Sequence, residues 1–563
     1  MKSFFGSLLY LFLRALSAVF AVFRWLEHLW FKSQQKLGWE PDLESSKGAR
    51  WKNITDNQFC HPYALVRPIT LDELCSTVRQ ASREQRHVRA VGSGHSFSDV
   101  AITDDYVVDM HGLNRVLTVD REVLRDNAAP ETLFRVESGI ALRDLNRRLN
   151  QAGLALRNMG SYDAQTVSGA ISTGTHGSGV GIGPMCEMVE AVELITGDGE
   201  RVIIEPRAGI TEPARYALKH PDGPRLVKDD DLFYSVVVSM GCMGIVYAYT
   251  LRARPRFLLK ETRTRKEWSE VREELLAGEH TRVAHYEVYV NPYPVRGKHW
   301  CVVTRREETT EVAKSVEGKS RNPISTMLTR FRFIDGILLW AFRHLSPFTP
   351  YFINGALSSL SDKLYVDESF KVFNLGDANH VPAFSSELAF DTAPRPGESV
   401  PAYIAAVEQL MKLACEQAAC GRWHTVPFSL RFIQKSKHYL APQYGRDTCM
   451  VEIPFLRDTP GAWDLLRYYE RQFVAHHGAR PHWGQAHFLV CHENTRNSYE
   501  KFDAFIAVFG ELNPEGVFDN DFTQRLSLRS AFQREHVAPH EVEVPATARS
   551  GWGGAAPELA AIT

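Results

Sequence analysis

Val91-Gly92-Ser93-Gly94-His95-Ser96-Phe97 follows directly on Val88-Arg89-Ala90, and further along the chain Thr173-Gly174-Thr175-His176-Gly177-Ser178-Gly179 has the same character. In each stretch, small residues let backbone N–H groups approach a phosphate closely. Neither is a Walker A loop, because no Gly-Lys-Ser/Thr follows. Neither is a Rossmann fingerprint, because no Gly-x-Gly-x-x-Gly opens a helix after a first strand. As a pair, with a histidine inside the first, they point to a large phosphate-bearing group held by loops.

The pattern around them is mixed. Val88 to Val91 is a short buried strand running into the first loop. Leu71 to Gln85 is a helix with Thr70 as N-cap and Glu73 completing a capping box. Tyr106 to Met110 and Leu133 to Glu137 are strands, and Leu142 to Ala152 is a helix closed by Gly153. Ala191 to Thr196 is a strand ending in the turn Gly197-Asp198-Gly199. The segment 205–228 is rich in Pro, Gly and charge and reads as a long surface insertion. Met240-Gly241-Cys242-Met243-Gly244-Ile245-Val246 is a tight turn into a strand, which makes Gly244, Ile245 and Val246 candidate cofactor contacts. Beyond Pro255 the strands lengthen, with Val283 to Val290 and His299 to Arg305 the clearest. The fold class is α+β, with expected divisions at 1–48, 49–255, 256–530 and a disordered tail at 531–563.

The chain has 563 residues, enough for two or three domains. A net charge of -2 leaves no basic footprint and argues against nucleic acid as a partner. Nine cysteines without a Cys-x-x-Cys pair fit reduced thiols and a cytoplasm-facing catalytic unit. Phe4 to Phe31 is mostly apolar, yet too long and too basic for a cleaved signal peptide. Placing Arg14 mid-membrane would cost roughly 2.5–3.5 kcal/mol. Lys2, Ser3, Ser7, Arg14, Ser17, Arg24, Glu27, His28 and Lys32 share one arc, interrupted by Leu13, Phe20 and Phe31. Residues 3–31 therefore read as a membrane-associated helix lying in the bilayer plane. A tilted spanning anchor and a helix buried on the protein itself are the alternatives. Phe331 to Leu360 is a second apolar stretch, read as core helices on the substrate side that could also touch lipid.

Six collinear motifs carry a family resemblance: Val91–Phe97, Asn158-Met159-Gly160-Ser161, Thr173–Gly179, Tyr444-Gly445-Arg446-Asp447-Thr448, Arg480-Pro481-His482-Trp483-Gly484, and Asn513-Pro514-Glu515-Gly516-Val517-Phe518-Asp519-Asn520. Together they resemble the sugar-1,4-lactone oxidase and alditol oxidase family (D-arabinono-1,4-lactone oxidase-like) of the vanillyl-alcohol-oxidase-type (VAO/PCMH-type) flavoproteins. The resemblance implies a two-domain FAD-binding fold with a substrate cap domain, and FAD as cofactor. It places the flavin in contact with Gly92, Ser93, Gly94, His95 and Ser96, with His95 as the covalent attachment point. It puts the pyrophosphate against Gly174, Thr175, His176, Gly177, Ser178 and Gly179, with His176 orienting the loop. Gly160 would leave O2 a path to the flavin, favouring an oxidase that yields hydrogen peroxide, and Ser161 would face flavin and substrate.

The chain departs from that family on the substrate side. The family's Glu-x-Arg is Ser429-Leu430-Arg431 here, and the lysine closing His-Trp-Gly-Lys is Gln485. Losing both charges avoids leaving one unpaired. The implied site, with Phe428 and a Pro454-Phe455 wall, is less polar, which suggests a more lipophilic alcohol than a free sugar. The alternative is a lactone or alditol oxidase that rebuilt its contacts from other positions. Arg431 remains to stabilise developing negative charge. His487 and Glu452 are the candidate bases, and Arg480 and His482 are read as scaffold. His476, His477, His482, His487 and His492 lack metal-site spacing, so no metal is expected. A dehydrogenase passing electrons to a quinone or cytochrome, and a non-catalytic flavoprotein, are the competing classes. The oligomeric state is not legible.

Overall fold

The computed structural model describes residues 50–311, 340–361, 363–375 and 383–529. The apolar segment 3–31, residues 331–339 of the second apolar stretch and the tail from 530 lie outside the described residues. Among the described residues no helix is long and apolar enough to cross a membrane. The nine cysteines are all unpaired.

The glycine loops rest on two sheets. In the first, Ala64–Val66 and Val88–Val91 both run parallel to the central Tyr106–Asp109. Parallel neighbours need a crossover, and the helix Leu71–Arg83 supplies it. Thr70 caps that helix by accepting from the Glu73 N–H at 3.2 Å. The Glu73 carboxylate accepts from Ile69 N–H at 2.8 Å, one residue ahead of the expected box. The second sheet has six strands in the order Arg225–Lys228, Arg201–Glu205, Val189–Ile195, Ile245–Arg252, Leu133–Glu137, Val116–Leu117.

The supposed insertion at 205–228 is part of this sheet. It holds the helix Pro213–Lys219 and the edge strand Arg225–Lys228, which pairs parallel with Arg201–Glu205. Most of its charges are exposed, but Lys228 at the end of the edge strand points inward. Lys228 Nζ donates to the carbonyls of Gly209 and Thr211 and lies 3.3 Å from the buried Glu205 carboxylate.

The second half is an eight-stranded sheet whose long strands are all antiparallel. Its order is Lys363–Glu368, Leu258–Glu267, Trp300–Thr309, His285–Val290, Phe428–Ile433, Thr448–Leu456, Ala383–Asp391, Arg480–Pro481. Alternation sorts its central strands. Phe428, Leu430, Phe432, Val451, Ile453 and Phe455 enter one core, with the helices Ala402–Ala419 and Ala462–His477 over them. Ser429, Arg431, Glu452 and Pro454 face the opposite side, toward the glycine loops. Phe428 and Phe455, expected in the cavity wall, are thus core residues, and Pro454 alone of that group lines the cavity. In the second apolar stretch the helix Thr349–Leu360 buries only the stripe Thr349, Ile353 and Leu357, while Trp340, Phe348 and Tyr351 are exposed.

The end of the described chain returns to the first sheet. Val88 N–H donates to Val517 O at 2.7 Å, and the fully buried Arg89 guanidinium donates to Phe518 O at 2.9 Å. Asn520 Nδ2 reaches the carbonyls of Asp99, Val100 and Ile102. Arg525 clasps Asp99 with two hydrogen bonds of 2.7 Å each. The Arg525 side chain is 6% exposed, so Asp99→Asn strands a buried cation. That substitution is expected to cost about 3–5 kcal/mol, read as a lower midpoint in denaturant titration. An unchanged midpoint would show that the clasp is dispensable.

Candidate active site and cofactor cavity

A cavity of about 620 Å³ separates the glycine loops from the polar face of the eight-stranded sheet, a size within the range of about 300–1,000 Å³ typical of ligand pockets. Gly92, Ser93, Gly94, His95, Ser96, Gly160, Ser161, Thr175, His176, Gly244, Ile245 and Val246 all line it. Met240 and Gly241, which the sequence reading left out, line it too, both at positive φ (50° and 73°). Such consecutive turns aim backbone N–H groups into a concavity and suit an anion. Their signal was present in the Met240-Gly241 turn itself.

Gly174, Gly177, Ser178 and Gly179 do not line the cavity. A Cβ on Gly177 would sit 2.1 Å from Asn158 Oδ1 and 2.4 Å from Met159 O, so this glycine permits close packing on Asn158-Met159. Ser178 Oγ donates to Tyr286 O at 3.1 Å, and Gly179 N–H donates to Phe432 O at 2.7 Å. That half of the loop ties the two sheets together instead of cradling a ligand.

His95 projects at the cavity against Tyr162, with ring centroids 3.9 Å apart. Burial lowers its pKa to about 4, so the ring is neutral near pH 7. A long cavity with bare backbone at Gly92, Gly94 and Gly241, hydroxyls at Ser93 and Thr175, and a neutral imidazole fits a flavin dinucleotide.

The opposite wall is built of charge. Arg431 Nε donates to Glu287 at 2.8 Å, and its Nη2 lies 3.4 Å from Glu452 Oε2. Glu287 accepts from Arg306 Nη2 at 3.0 Å, and Arg306 Nε donates to Glu261 at 2.8 Å. Glu261 also pairs with Arg263 at 3.0 Å. Register creates this row, since Glu261 faces Arg306 and Glu287 faces Arg431 across adjacent strands. Burial works to raise the Glu287 pKa, but Arg431 and Arg306 overcome it and hold it at about 2.

The carboxylate absent from position 429 is supplied by the next strand. Glu452 stands directly opposite Ser429, whose Oγ donates to Glu452 Oε2 at 3.0 Å. Glu387, missed in the sequence, stands opposite Glu452 on the other side. The expected loss of polarity is therefore not what the wall shows. Ser385 Oγ lies 3.2 Å from Glu452 Oε1 and 2.7 Å from Gln485 Oε1, linking the two candidates.

The two facing carboxylates are pushed apart. Burial opposes ionisation of Glu387, but His176, with Nε2 at 3.2 Å, and then His482 and Arg431 bring its pKa down to about 2. Glu452 is raised by burial and by Glu387, against the pull of Arg431. His176 Nδ1 meets Gly177 O at 2.8 Å, so both of its ring nitrogens face acceptors. Among the described residues the ligand atoms of His176, Glu387 and His482 lie within 4.8 Å of one another, and His176 already spends both nitrogens on these bonds. His482 accepts from Gly484 N–H at 3.1 Å, and Arg480 donates to Tyr444 O at 2.6 Å.

His487 is not part of the site. Gln485 N–H turns back to His482 O, so the segment is not extended and alternation does not carry His487 to the face of Gln485. Its ring is buried against Trp483 and Phe522, and neither nitrogen has a hydrogen-bond partner.

Comparison with known proteins agrees with this geometry. Residues 62–205 match the FAD binding domain model, and residues 249–526 match the model described as D-arabinono-1,4-lactone oxidase. The chain belongs to the FAD-dependent sugar-lactone oxidase and dehydrogenase family. Within that family, an L-gulono-1,4-lactone dehydrogenase of Mycobacterium tuberculosis is 27% identical over 484 residues, covering 84% of this chain and 98% of that one. An L-gulonolactone oxidase of Scyliorhinus torazame is 26% identical over 494 residues, covering 86% and 99%. A D-arabinono-1,4-lactone oxidase of Eremothecium gossypii is 32% identical over 223 residues, covering 39% and 37%. The fold is that of the cholesterol oxidase from Brevibacterium sterolicum, with a TM-score of 0.65 at 13% identity, over 87% of this chain and 98% of that one. Like its family, the chain is an FAD-dependent oxidoreductase acting on a CH–OH donor.

Proposed function

We propose that this enzyme oxidises a CH–OH group of a hydroxylated sugar lactone, with Glu452 as the general base. The observation that carries the reading is the restored carboxylate beside Arg431. A lipophilic alcohol would take water from the remaining donor and acceptor positions of Arg431, Glu452, Ser429 and Gln485 and offer nothing in return, at a cost in affinity. A polyhydroxylated ring gives each of them a partner.

FAD, when bound, supplies the acceptor for the hydride and its two electrons. The protein's own groups handle the proton and the charge. Glu452, oriented by Ser429 and Ser385, takes the substrate hydroxyl proton. Arg431, braced from behind by Glu287, faces the oxygen as it gains negative charge. Ser161, on the cavity wall beside Gly160, contributes a hydroxyl to substrate alignment.

Two finer features belong to the same proposal. His95, neutral and lining the cavity, would hold the flavin covalently through a ring nitrogen, the two hydrogens lost from the imidazole and the flavin methyl group going to O2 as hydrogen peroxide. O2 is also the acceptor in turnover, in keeping with a wall at Gly160 that carries no side chain. Residues 3–31 hold the enzyme at a membrane with the catalytic unit on the cytoplasmic side, as their charge arc and the unpaired cysteines suggest.

Glu452→Gln is expected to lower kcat by about 10²–10⁴-fold with aldonolactones as test substrates, while flavin content stays unchanged. In the wild type, kcat/KM should rise with pH through an apparent pKa above the usual carboxylate range, because the base works only when ionised and burial raises it. Wild-type turnover in Glu452→Gln would remove the assignment. Under air, one peroxide per oxidised substrate is expected, whereas substrate-bleached flavin that stays reduced would mean another acceptor. After acid precipitation the yellow colour should stay with the protein and be released in His95→Ala. Deleting residues 3–31 should move the activity from the membrane pellet to the supernatant, and retention in the pellet would refute the anchor.

A further inference from the structure

Glu387 takes no part in the proposed chemistry, yet it is a buried carboxylate beside the base. Its side chain is 4% exposed, and the side chain of its partner His176 is 1% exposed. Glu387 and Glu452 are directly paired residues on adjacent strands, which puts their Cβ atoms about 4.5–5.5 Å apart. Two carboxyl groups so placed do not ionise independently. Their surroundings decide which one holds the negative charge.

The partners are unequal. Glu387 has His176 at 3.2 Å, and His482 packs beside that histidine with ring centroids 5.8 Å apart. Glu452 has Arg431 at 3.4 Å, but Arg431 is bound more closely to Glu287, at 2.8 Å. From the strand Phe428–Ile433, Ser429 and Arg431 face Glu452; from Ala383–Asp391, Ser385 and Glu387 do. Gln485 joins through Ser385, and Arg457 lines the same cavity. Among these groups Glu387 is the one that brings a second negative charge to the base.

We propose that Glu387, locked to His176 of the glycine loop, is a positioning residue whose fixed charge sets the pH at which Glu452 works as a base. The inference rests on the reading of Glu452 as the base. The pair acts on Glu452 through space. Glu387 also has one oxygen, Oε1, that is buried without a hydrogen-bond partner.

The test is the pH dependence of kcat/KM in the FAD-loaded enzyme. Glu387→Gln keeps the shape and removes the charge. Its acid limb should move down by about one pH unit, so that activity well below the wild-type limb rises about tenfold. Glu387→Asp keeps the charge and should leave the limb near its wild-type position. His176→Gln removes the partner that keeps Glu387 ionised and should move the limb down as Glu387→Gln does. A second readout needs no turnover: infrared difference titration against Glu452→Gln follows the Glu452 carboxyl band, which should move in parallel. The proposal is overturned if the limb and the band stay put in Glu387→Gln, or if Glu387→Asp shifts them as far as Glu387→Gln. Both results are separable from failure of the base assignment, which shows as wild-type turnover in Glu452→Gln.

Discussion

A row of alternating charge crosses the buried face of the eight-stranded sheet, and the catalytic wall depends on it. Glu261, Arg306, Glu287, Arg431 and Glu452 come from five consecutive strands. A single buried ion would cost several kcal/mol, but each member here has an opposite charge beside it. The arrangement holds only while register holds, because a slip of one residue would send every charge to the apolar core on the other face. The same constraint that fixes the strands therefore fixes the direction in which Arg431 points.

Much of the cofactor side was legible in the sequence. Glycine loops, strand-to-loop junctions and helix caps are local features, and local chemistry decides them. His95, Gly160, Ser161 and Gly244–Val246 all line the cavity. The second half of the loop at Gly174–Gly179 was misread because a glycine that admits a phosphate and a glycine that admits a neighbouring loop look alike in sequence. Only the atoms facing Gly177 distinguish them.

The substrate side was harder because its logic runs across strands. Position 429 carries no carboxylate in the one-dimensional pattern, yet Glu452 stands directly across from it on the next strand. Glu387 carried no motif at all and gained meaning only from standing opposite Glu452. His487 illustrates the reverse case, since a spacing of two implies a shared face only in an extended segment, and the turn after His482 breaks it. The edge strand Arg225–Lys228 was hidden for a related reason: a lysine such as Lys228 that clamps inward looks, in sequence, like part of a solvated loop.

The return of the chain end to the first sheet has a consequence for biosynthesis. Arg89 and its acceptor on Phe518 are 429 positions apart. At about 5–20 residues per second a ribosome needs roughly 20–90 s to make the intervening chain. Throughout that interval the nascent N-terminal half carries an incomplete strand edge and a cationic side chain awaiting the last of its carbonyls. Such long-range closure is slow to form and exposes sticky surface meanwhile. The first sheet behind the flavin cradle is thus completed only after the segment around Phe518 has been made.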